Sequence, residues 1–137
     1  MYDFNIHHLL VLVLVSAVAQ WVLGLIWYGG IFRKSWTAMT GVPAGQKLKD
    51  VIFPMITSFI ACVILSFVLI HVVAWAGAGV FTAGAKIAIV CWLGFMAPPL
   101  FAQHIWERRR ANLFAINAAY WLLVMAIGGG LMAAFRS

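Results

Sequence analysis

Four long apolar runs constrain this chain more than any other feature of its sequence. They cover roughly residues 7–31, 52–76, 80–105 and 111–135, and no Lys or Arg lies near the middle of any of them. Each run exceeds the about 20 apolar residues that an α-helix needs to cross a hydrocarbon core of about 30 Å. The sequence therefore predicts an all-α integral membrane protein, built as a bundle of four transmembrane helices.

The composition indicates that little of the chain lies outside the membrane. Of the 137 residues, 66% are hydrophobic and only 9% are charged, whereas soluble domains average about 25% charged residues. We therefore expect one domain that spans residues 1–137. The net charge of +6 would suggest nucleic acid in a soluble protein. Here basic loops beside a bilayer explain it, so no nucleic-acid partner is expected.

The distribution of basic residues predicts the orientation of the helices. Two connections on the same side of the membrane carry Arg33, Lys34, Lys47, Lys49, Arg108, Arg109 and Arg110. The opposite side carries only Lys86 and Arg136. Because basic loops stay in the cytoplasm, the loops at 32–51 and 106–111 are predicted to be cytoplasmic and both termini to lie outside, in a bacterial inner membrane. Anionic lipid headgroups are the expected partners of Arg33, Lys34, Arg108, Arg109 and Arg110.

A secretory signal peptide is an alternative interpretation of the N-terminal run. Ala17-Val18-Ala19 resembles a small-residue cleavage site. However, no basic residue precedes it and the apolar run continues to Ile31, which favours a retained transmembrane helix. Cys62 and Cys91 both fall inside apolar runs, so we expect buried thiols and no disulfide.

Small and polar residues mark the faces along which the helices should pack. Ser16, Gln20, Gly24 and Tyr28 follow at steps of four residues, so they share the face of the first helix that looks toward protein. Gly130 and Ala134 in the fourth run permit close helix approach. That approach can occur within one chain or between chains. A homo-oligomer is expected, because four helices alone enclose little space.

Pro98-Pro99 is the strongest local signal for irregular structure. Two consecutive prolines remove two backbone donors and leave the carbonyl groups of Gly94 and Phe95 without helical partners. The third helix is therefore predicted to be kinked or broken at Pro98-Pro99. Broken helices line binding sites in transporters, although a plain kink satisfied by a neighbouring helix has the same sequence signature.

Polar and aromatic residues cluster near the cytoplasmic end of the bundle. The predicted ligand-binding residues are Trp27, Tyr28, Pro98, Pro99, His104, Asn117 and Tyr120. Polar side chains inside a membrane are costly, and they usually face the bundle interior or a cavity. A ligand site requires convergence with unfilled hydrogen-bond capacity. Direct bonding among Tyr28, His104 and Asn117 would instead satisfy them and leave no room for a ligand.

Metal binding and enzymatic catalysis find less support in the sequence. His7, His8 and His71 should lie near the outer surface, and three imidazoles suit zinc, copper or haem iron. Adjacent His7 and His8 would point about 100° apart on a helix, which disfavours a shared metal. The only carboxylates, Asp3, Asp50 and Glu107, lie at run ends, unlike those of proton-coupled carriers. No enzymatic motif is present, and no cofactor is indicated.

Two segments carry a family resemblance. Residues 27–36 read WYGGIFRKSW, which resembles the W-Y-x-x-x-F-G-K-x-W signature of the DUF1761 family of small bacterial membrane proteins. The segments WLGF at 92–95, WERR at 106–109 and NAAY at 117–120 resemble the second block of that family. The resemblance spans nearly the whole chain and implies the four-helix fold, but it brings no activity. Arg33 stands where the family commonly has Gly, which argues against a tight turn there.

Two functional hypotheses follow. The first is a small transport or ligand-binding protein whose site lies at the break in the third helix and faces Tyr28, His104 and Asn117. The second is a non-catalytic membrane subunit or scaffold that packs through the small-residue faces of the first and fourth helices. A cavity reaching Pro98-Pro99 would favour the first hypothesis. A solid bundle with a broad apolar face would favour the second.

Overall fold

The computed structural model describes residues 5–42 and 46–136, and within these ranges the chain is helical with no strand. Four helices are long and apolar enough to cross a membrane: Ile6–Ile31, Leu48–Trp75, Phe81–Trp106 and Ala111–Phe135. These helices confirm the predicted fold class. We refer to them as the first to fourth spanning helices.

Two of the spanning helices contain a π-helical turn. The first spanning helix consists of α1 (Ile6–Ile26) and a π turn at Trp27–Ile31. The third consists of α4 (Phe81–Cys91), a π turn at Trp92–Met96 and α5 (Ala97–Trp106), which opens with Pro98 and Pro99 in its first turn. A helix tolerates proline in its first turn, where no intrahelical donor is required. The predicted irregularity at the proline pair is confirmed.

The remaining elements refine the predicted boundaries. The second spanning helix, α3, begins at Leu48, four residues before the predicted start at 52, and the fourth, α6, covers Ala111–Phe135 as predicted. A short amphipathic helix, α2 (Arg33–Thr40), lies in the connection at 32–51, for which the sequence predicted only a loop. Arg33 begins this helix, and the preceding Phe32 has a φ of −111°. The backbone therefore turns there without requiring glycine.

The fourth spanning helix lies at the centre of the molecule. α6 contacts α1, α3 and α4, whereas α3 and α4 contact each other far less than either contacts α6. The buried share of the most apolar part of each spanning helix is 33%, 28%, 6% and 50%, in chain order. The third spanning helix is therefore the peripheral one, and most of its surface faces outward.

Glycines allow α4 and α6 to approach closely. A Cβ atom at Gly129 would lie 2.6 Å from both the Cβ of Ala88 and the carbonyl oxygen of Gly84. A Cβ atom at Gly130 would collide with the ring of Phe81. Atoms of the same chain therefore occupy the space beside these glycines, as in other membrane helix pairs that use glycine for close backbone approach.

The second and third spanning helices end in the same hydrogen-bonded motif. At the end of α3, the N–H of Ala78 donates to the carbonyl of Val73, and Gly77 adopts a left-handed φ of 74°. After α5, the N–H of Arg109 donates to the carbonyl of His104, and Arg108 adopts a left-handed φ of 56°. Glycine usually occupies the left-handed position of this motif. Arg108 is thus a non-glycine residue in a glycine position.

Candidate functional site

Three polar side chains from three spanning helices form one hydrogen-bonded chain near the end that carries the basic loops. The hydroxyl of Tyr28 donates to Oδ1 of Asn117 at 2.7 Å. Nδ2 of Asn117 lies 3.3 Å from Nε2 of His104, and Nδ1 of His104 lies 2.8 Å from the carbonyl oxygen of Leu100. We call Tyr28, Asn117 and His104 the polar chain.

The partners determine the direction of each hydrogen bond. Since a carbonyl can only accept, Nδ1 of His104 carries the proton and donates to Leu100. Nε2 is then an acceptor for the amide of Asn117, whose oxygen accepts from Tyr28. The polar chain therefore ties the orientation of the carboxamide to the tautomer of the imidazole.

Burial differs along the polar chain. His104 is 5% exposed, whereas Tyr28 and Asn117 are half-buried. His104 also packs edge-on against Phe114, with the ring centroids 5.7 Å apart. The side chain of Tyr28 packs edge-on against Trp36 of α2 at 5.7 Å and against Tyr120 at 5.1 Å. The imidazole is thus enclosed, and the phenol lies between the short helix and α6.

The two π turns are attached to the fourth spanning helix in the same way. Each begins with a tryptophan whose carbonyl accepts a backbone N–H five residues later, from Phe32 and Ala97 respectively. The indole of Trp27 donates to the carbonyl of Ile116 at 3.1 Å. The indole of Trp92 donates to the carbonyl of Ala118 at 3.0 Å. Both indoles therefore anchor a π turn to the part of α6 that carries Asn117.

The structure brings together some of the predicted site residues and separates others. Tyr28, His104 and Asn117 bond to one another, and Trp27 contacts α6 one residue before Asn117. Tyr120 is buried, but its hydroxyl points away to the carbonyl oxygen of Gln20 at 3.3 Å. Pro98 and Pro99 are exposed in the first turn of α5 and contact none of the polar side chains through a hydrogen bond. They bear on the site through the path of the helix that carries His104.

A second polar group lies deeper between the first and second spanning helices. Nε2 of Gln20 donates to Oγ of Ser16 and to Oγ of Ser66, each at 2.9 Å. Gln20 is 2% exposed, and its Oε1 has no hydrogen-bond partner among the described residues. The sequence placed Ser16 and Gln20 on a protein-facing stripe but gave no sign that Trp92 would join a polar contact. Ser66 was missed although a signal was present, because a serine in the middle of an apolar run needs a hydrogen-bond partner.

The histidines near the termini do not assemble into a metal site. Nε2 of His8 lies 2.6 Å from the carbonyl oxygen of Phe135, and Nδ1 of His71 lies 2.7 Å from the carbonyl oxygen of Phe67. Within residues 5–42 and 46–136, no group of three His, Cys, Asp or Glu side chains is placed to hold a metal ion. The cysteines Cys62 and Cys91 are free thiols.

One carboxylate stands at the connection that carries the three consecutive arginines. Oε1 of Glu107 accepts from Nε2 of Gln103 at 3.0 Å, and Oε2 lies 2.5 Å from Nε of Arg109. The hydrogen bond from Gln103 and the charge of Arg109 lower the pKa of Glu107. Glu107 therefore stays ionised and offsets part of the positive charge of this connection.

Comparison with known proteins identifies the family of the chain. Curated proteins and solved structures gave no match. The family model described as "Protein of unknown function (DUF1761)" matches residues 11–133, a range that contains the polar chain, both π turns and nearly all of the four spanning helices. The chain therefore belongs to the DUF1761 family.

Proposed function

We propose that this chain is a non-catalytic membrane subunit whose third spanning helix binds a second copy of the same chain. The observation that carries the proposal is the burial of the most apolar part of that helix, which is 6%, compared with 28–50% for the corresponding parts of the other three. Lipid alone can cover an apolar helix. However, a helix that packs mainly on one neighbour, α6, leaves its other faces available to a partner.

The small residues of the exposed face support this assignment. Gly94, Pro98 and Ala102 follow at steps of four residues and are all exposed. A Cβ atom at Gly94 would meet no atom within 4 Å, so the packing within the chain does not require a glycine there. Glycine costs a helix about 1 kcal/mol relative to alanine. Close approach of a partner helix explains why a glycine stands at this position.

The small-residue faces that the sequence suggested as contact surfaces pack against other helices of the same chain. Gly24 lies against the hydroxyl of Tyr120, and Gly128 lies against the carboxamide of Gln20. Gly130 lies under the ring of Phe81. The first and fourth helices therefore use these faces for packing within the subunit. The third helix has a small-residue face that is left exposed.

Cysteine cross-linking tests the proposed contact. In a Cys62→Ala, Cys91→Ala background, Ala102→Cys should form a disulfide-linked dimer upon oxidation in lipid bilayers, because residues near a two-fold axis meet their own copies. Ile60→Cys, at a 51% exposed position of the second spanning helix, is the matched control and should remain monomeric. Equal cross-linking of both variants, or none with Ala102→Cys, would contradict the proposal.

Small-ligand binding or transport at the polar chain is the second candidate function. The direct bonds among Tyr28, Asn117 and His104 weigh against it, because they use most of the hydrogen-bonding capacity of these side chains. The partial exposure of Tyr28 and Asn117 favours it, because it makes the polar chain reachable beside the basic-loop end. The described contacts use one N–H of Asn117 and leave its second one available to a ligand. A thermal-shift screen in detergent should then find compounds that stabilise the wild type and not His104→Ala or Asn117→Ala. A compound that stabilises all three proteins equally would argue against this candidate.

Contact with anionic lipid is proposed for the basic side chains beside the same end. Arg33, Lys34, Arg108, Arg109 and Arg110 are all exposed. Basic residues near a membrane surface contribute about 1 kcal/mol each to binding anionic headgroups. We propose that these contacts form at the cytoplasmic leaflet, the side that the basic residues predict for these loops.

A further inference from the structure

Lys86 is the only Lys, Arg, Asp or Glu that lies beyond the first turn of a spanning helix. It is exposed on α4, two residues from Gly84 and two from Ala88, both of which pack on α6. Two residues correspond to about 200° of helical rotation, so the side chain of Lys86 points away from α6 and toward the lipid. An occupant can therefore reach the ammonium group without entering the bundle.

The ammonium group of Lys86 can reach the membrane surface on the side of the termini. The third spanning helix has 26 residues and is about 39 Å long, so its ends project beyond a hydrocarbon core of about 30 Å. Lys86 follows the first residue of α4 by five residues, or about 7.5 Å. Because helical side chains lean toward the N-terminus of their helix, the stem of Lys86 carries the charge toward the level of Phe81 and Thr82. Phospholipid headgroups lie at this level.

Arg136 brings a second positive charge to the same end of α4. Nε of Arg136 donates to the carbonyl oxygen of Ala78 at 2.6 Å, in the turn that precedes α4. This contact leaves the Nη groups of the guanidinium available to an anion. The two basic residues on the side with few charges are far apart in sequence, and the fold places both beside the start of α4.

The described part of the chain offers no carboxylate to these two cations. Asp50 and Glu107 both lie at the opposite end, with the basic loops. A second copy of the chain would therefore bring no described carboxylate to this end either. A charged side chain beside the hydrocarbon requires a counter-charge. The anionic group that the bilayer itself supplies at this level is a lipid phosphate, which forms strong charge-assisted hydrogen bonds with an ammonium group.

We propose that Lys86 binds the phosphate of an anionic phospholipid in the leaflet on the side of the termini, opposite to the basic loops. Arg136 adds electrostatic attraction for the headgroup. The exposed Thr82, one turn before Lys86 on the same face, can donate its hydroxyl to a phosphate oxygen. The acyl chains lie along Val90 and Leu93, which are 68% and 61% exposed. An anionic lipid is preferred because a zwitterionic headgroup carries its own cation.

Quenching by brominated lipids measures this contact in vesicles. In a Cys62→Ala, Cys91→Ala background, a bimane fluorophore is attached to Val90→Cys, one turn from Lys86 on the same face. Phosphatidylglycerol with brominated acyl chains should bind beside it at least threefold more strongly than brominated phosphatidylcholine. Val68→Cys is the matched control, because it is 53% exposed and lies a similar distance from the same end of α3. It should show no preference between the two lipids.

Variants assign the preference to individual side chains. Lys86→Gln should reduce the preference at Val90→Cys to the level at Val68→Cys, whereas Lys86→Arg should retain it. Arg136→Gln should lower the preference by about half, because attraction to a headgroup grows with each nearby basic residue. Lys34→Gln removes one positive charge at the opposite end and should leave the preference unchanged. Lys86 and Lys34 are both exposed, so their replacement does not disturb the packing.

Four outcomes would contradict the proposal. A preference that survives Lys86→Gln would assign it to other residues. Equal preferences at Val90→Cys and Val68→Cys would indicate general attraction of anionic lipid to a basic protein. Loss of the preference in inorganic phosphate, at constant ionic strength, would indicate a site for a free anion. No change with Arg136→Gln would contradict the role of Arg136. None of these results bears on cross-linking through Ala102→Cys, so this proposal and the proposed function can fail separately.

Discussion

Arg108 occupies a position where the backbone conformation favours glycine. Its φ of 56° closes the same motif that Gly77 closes at the end of α3. The left-handed conformation costs a side-chain-bearing residue about 1–2 kcal/mol. Arg108 is exposed, so no packing contact of a buried side chain requires it. A basic residue beside the membrane surface is therefore retained at the expense of backbone stability.

We expect Arg108→Gly to raise the free energy of unfolding by about 1 kcal/mol, because relief of the left-handed strain exceeds the added flexibility of the unfolded chain. Arg109→Gly is the control. It removes the same charge from a residue without positive φ and breaks the pair with Glu107, so it should lower stability. Thermal unfolding in detergent measures both. A lower midpoint for Arg108→Gly than for the wild type would refute the assignment of strain.

The glycines fall into two groups: those with atoms of the same chain packed against them, and those beside which a Cβ would meet open space. Gly129→Ala should destabilise the protein by about 1–3 kcal/mol, since its new Cβ would meet Ala88 and the backbone of Gly84 and overpack a close helix contact. Gly94→Ala should leave the monomer as stable or slightly more stable, because its Cβ would enter open space. Detergent unfolding of the two variants measures this difference, and equal losses would contradict it.

At the scale of elements, we expect the proline pair to determine which face α5 turns toward α6. The π turn at Trp92–Met96 accommodates one more residue than an α-helical turn would. One residue corresponds to about 100° of helical rotation. His104 therefore faces Asn117 because the irregular turn upstream rotates α5 into that position.

Pro98→Ala combined with Pro99→Ala should let the α-helix continue through this turn, because the restored N–H groups can reach the carbonyls of Gly94 and Phe95. α5 would then rotate and His104 would leave Asn117. In a background without native cysteines, a short bifunctional thiol reagent should join His104→Cys to Asn117→Cys in an internal cross-link, because the side chains that they replace meet at their tips. Mass spectrometry should detect it at least fivefold more slowly after the proline replacements. An unchanged rate would show that the prolines do not determine the rotation.

The sequence predicted the helices better than their arrangement. Runs longer than the membrane is thick identify spanning helices by length alone, so the existence of all four could be predicted. Helices that are apolar on every side carry no stripe that reveals their neighbours. Consequently, nothing in the sequence indicated that α6 would be central and the third helix peripheral.

The residues of the candidate site could be predicted from the sequence, but the hydrogen bonds among them could not. Tyr28, His104 and Asn117 were expected to converge because each needs a partner inside the membrane. The bonds that they form depend on the rotation of helices that contain π turns. Pro98-Pro99 indicated an irregularity near the π turn at Trp92–Met96, whereas no proline marks the π turn at Trp27–Ile31. Gln20 belonged to a predicted stripe, but its unfilled oxygen depends on the exact placement of Ser16 and Ser66.

At the scale of the whole molecule, charge and packing divide the protein into two ends. The exposed basic residues Arg33, Lys34 and Arg108–Arg110 lie at the end with the polar chain, and the contacts of the buried glycines in α4 and α6 lie toward the other. The orientation of these two ends in the membrane remains a prediction from the basic residues.

An impermeant maleimide tests that orientation in intact cells. In a background without native cysteines, Gly79→Cys places a thiol in the turn between the second and third spanning helices, and Ser35→Cys places one in α2. We expect labelling of Gly79→Cys in intact cells and of both variants after lysis, because the turn at Gly79 lies on the side with few basic residues. Labelling of Ser35→Cys alone would reverse the orientation.

The π turn at Trp92–Met96 has a consequence for the number of residues that related chains can have in this segment. A π turn is the form that a single inserted residue takes when the helix on either side keeps its original faces. Deleting Gly94 together with Pro98→Ala and Pro99→Ala should therefore shorten the third spanning helix by one residue, restore regular α-helical hydrogen bonding and still leave His104 opposite Asn117. Family members that lack one residue in this segment and have no proline at the equivalents of Pro98 and Pro99 would then carry a regular helix and the same polar chain. Replacing the prolines without a deletion would keep the length and lose the contact, so the length of this segment and its proline content should vary together.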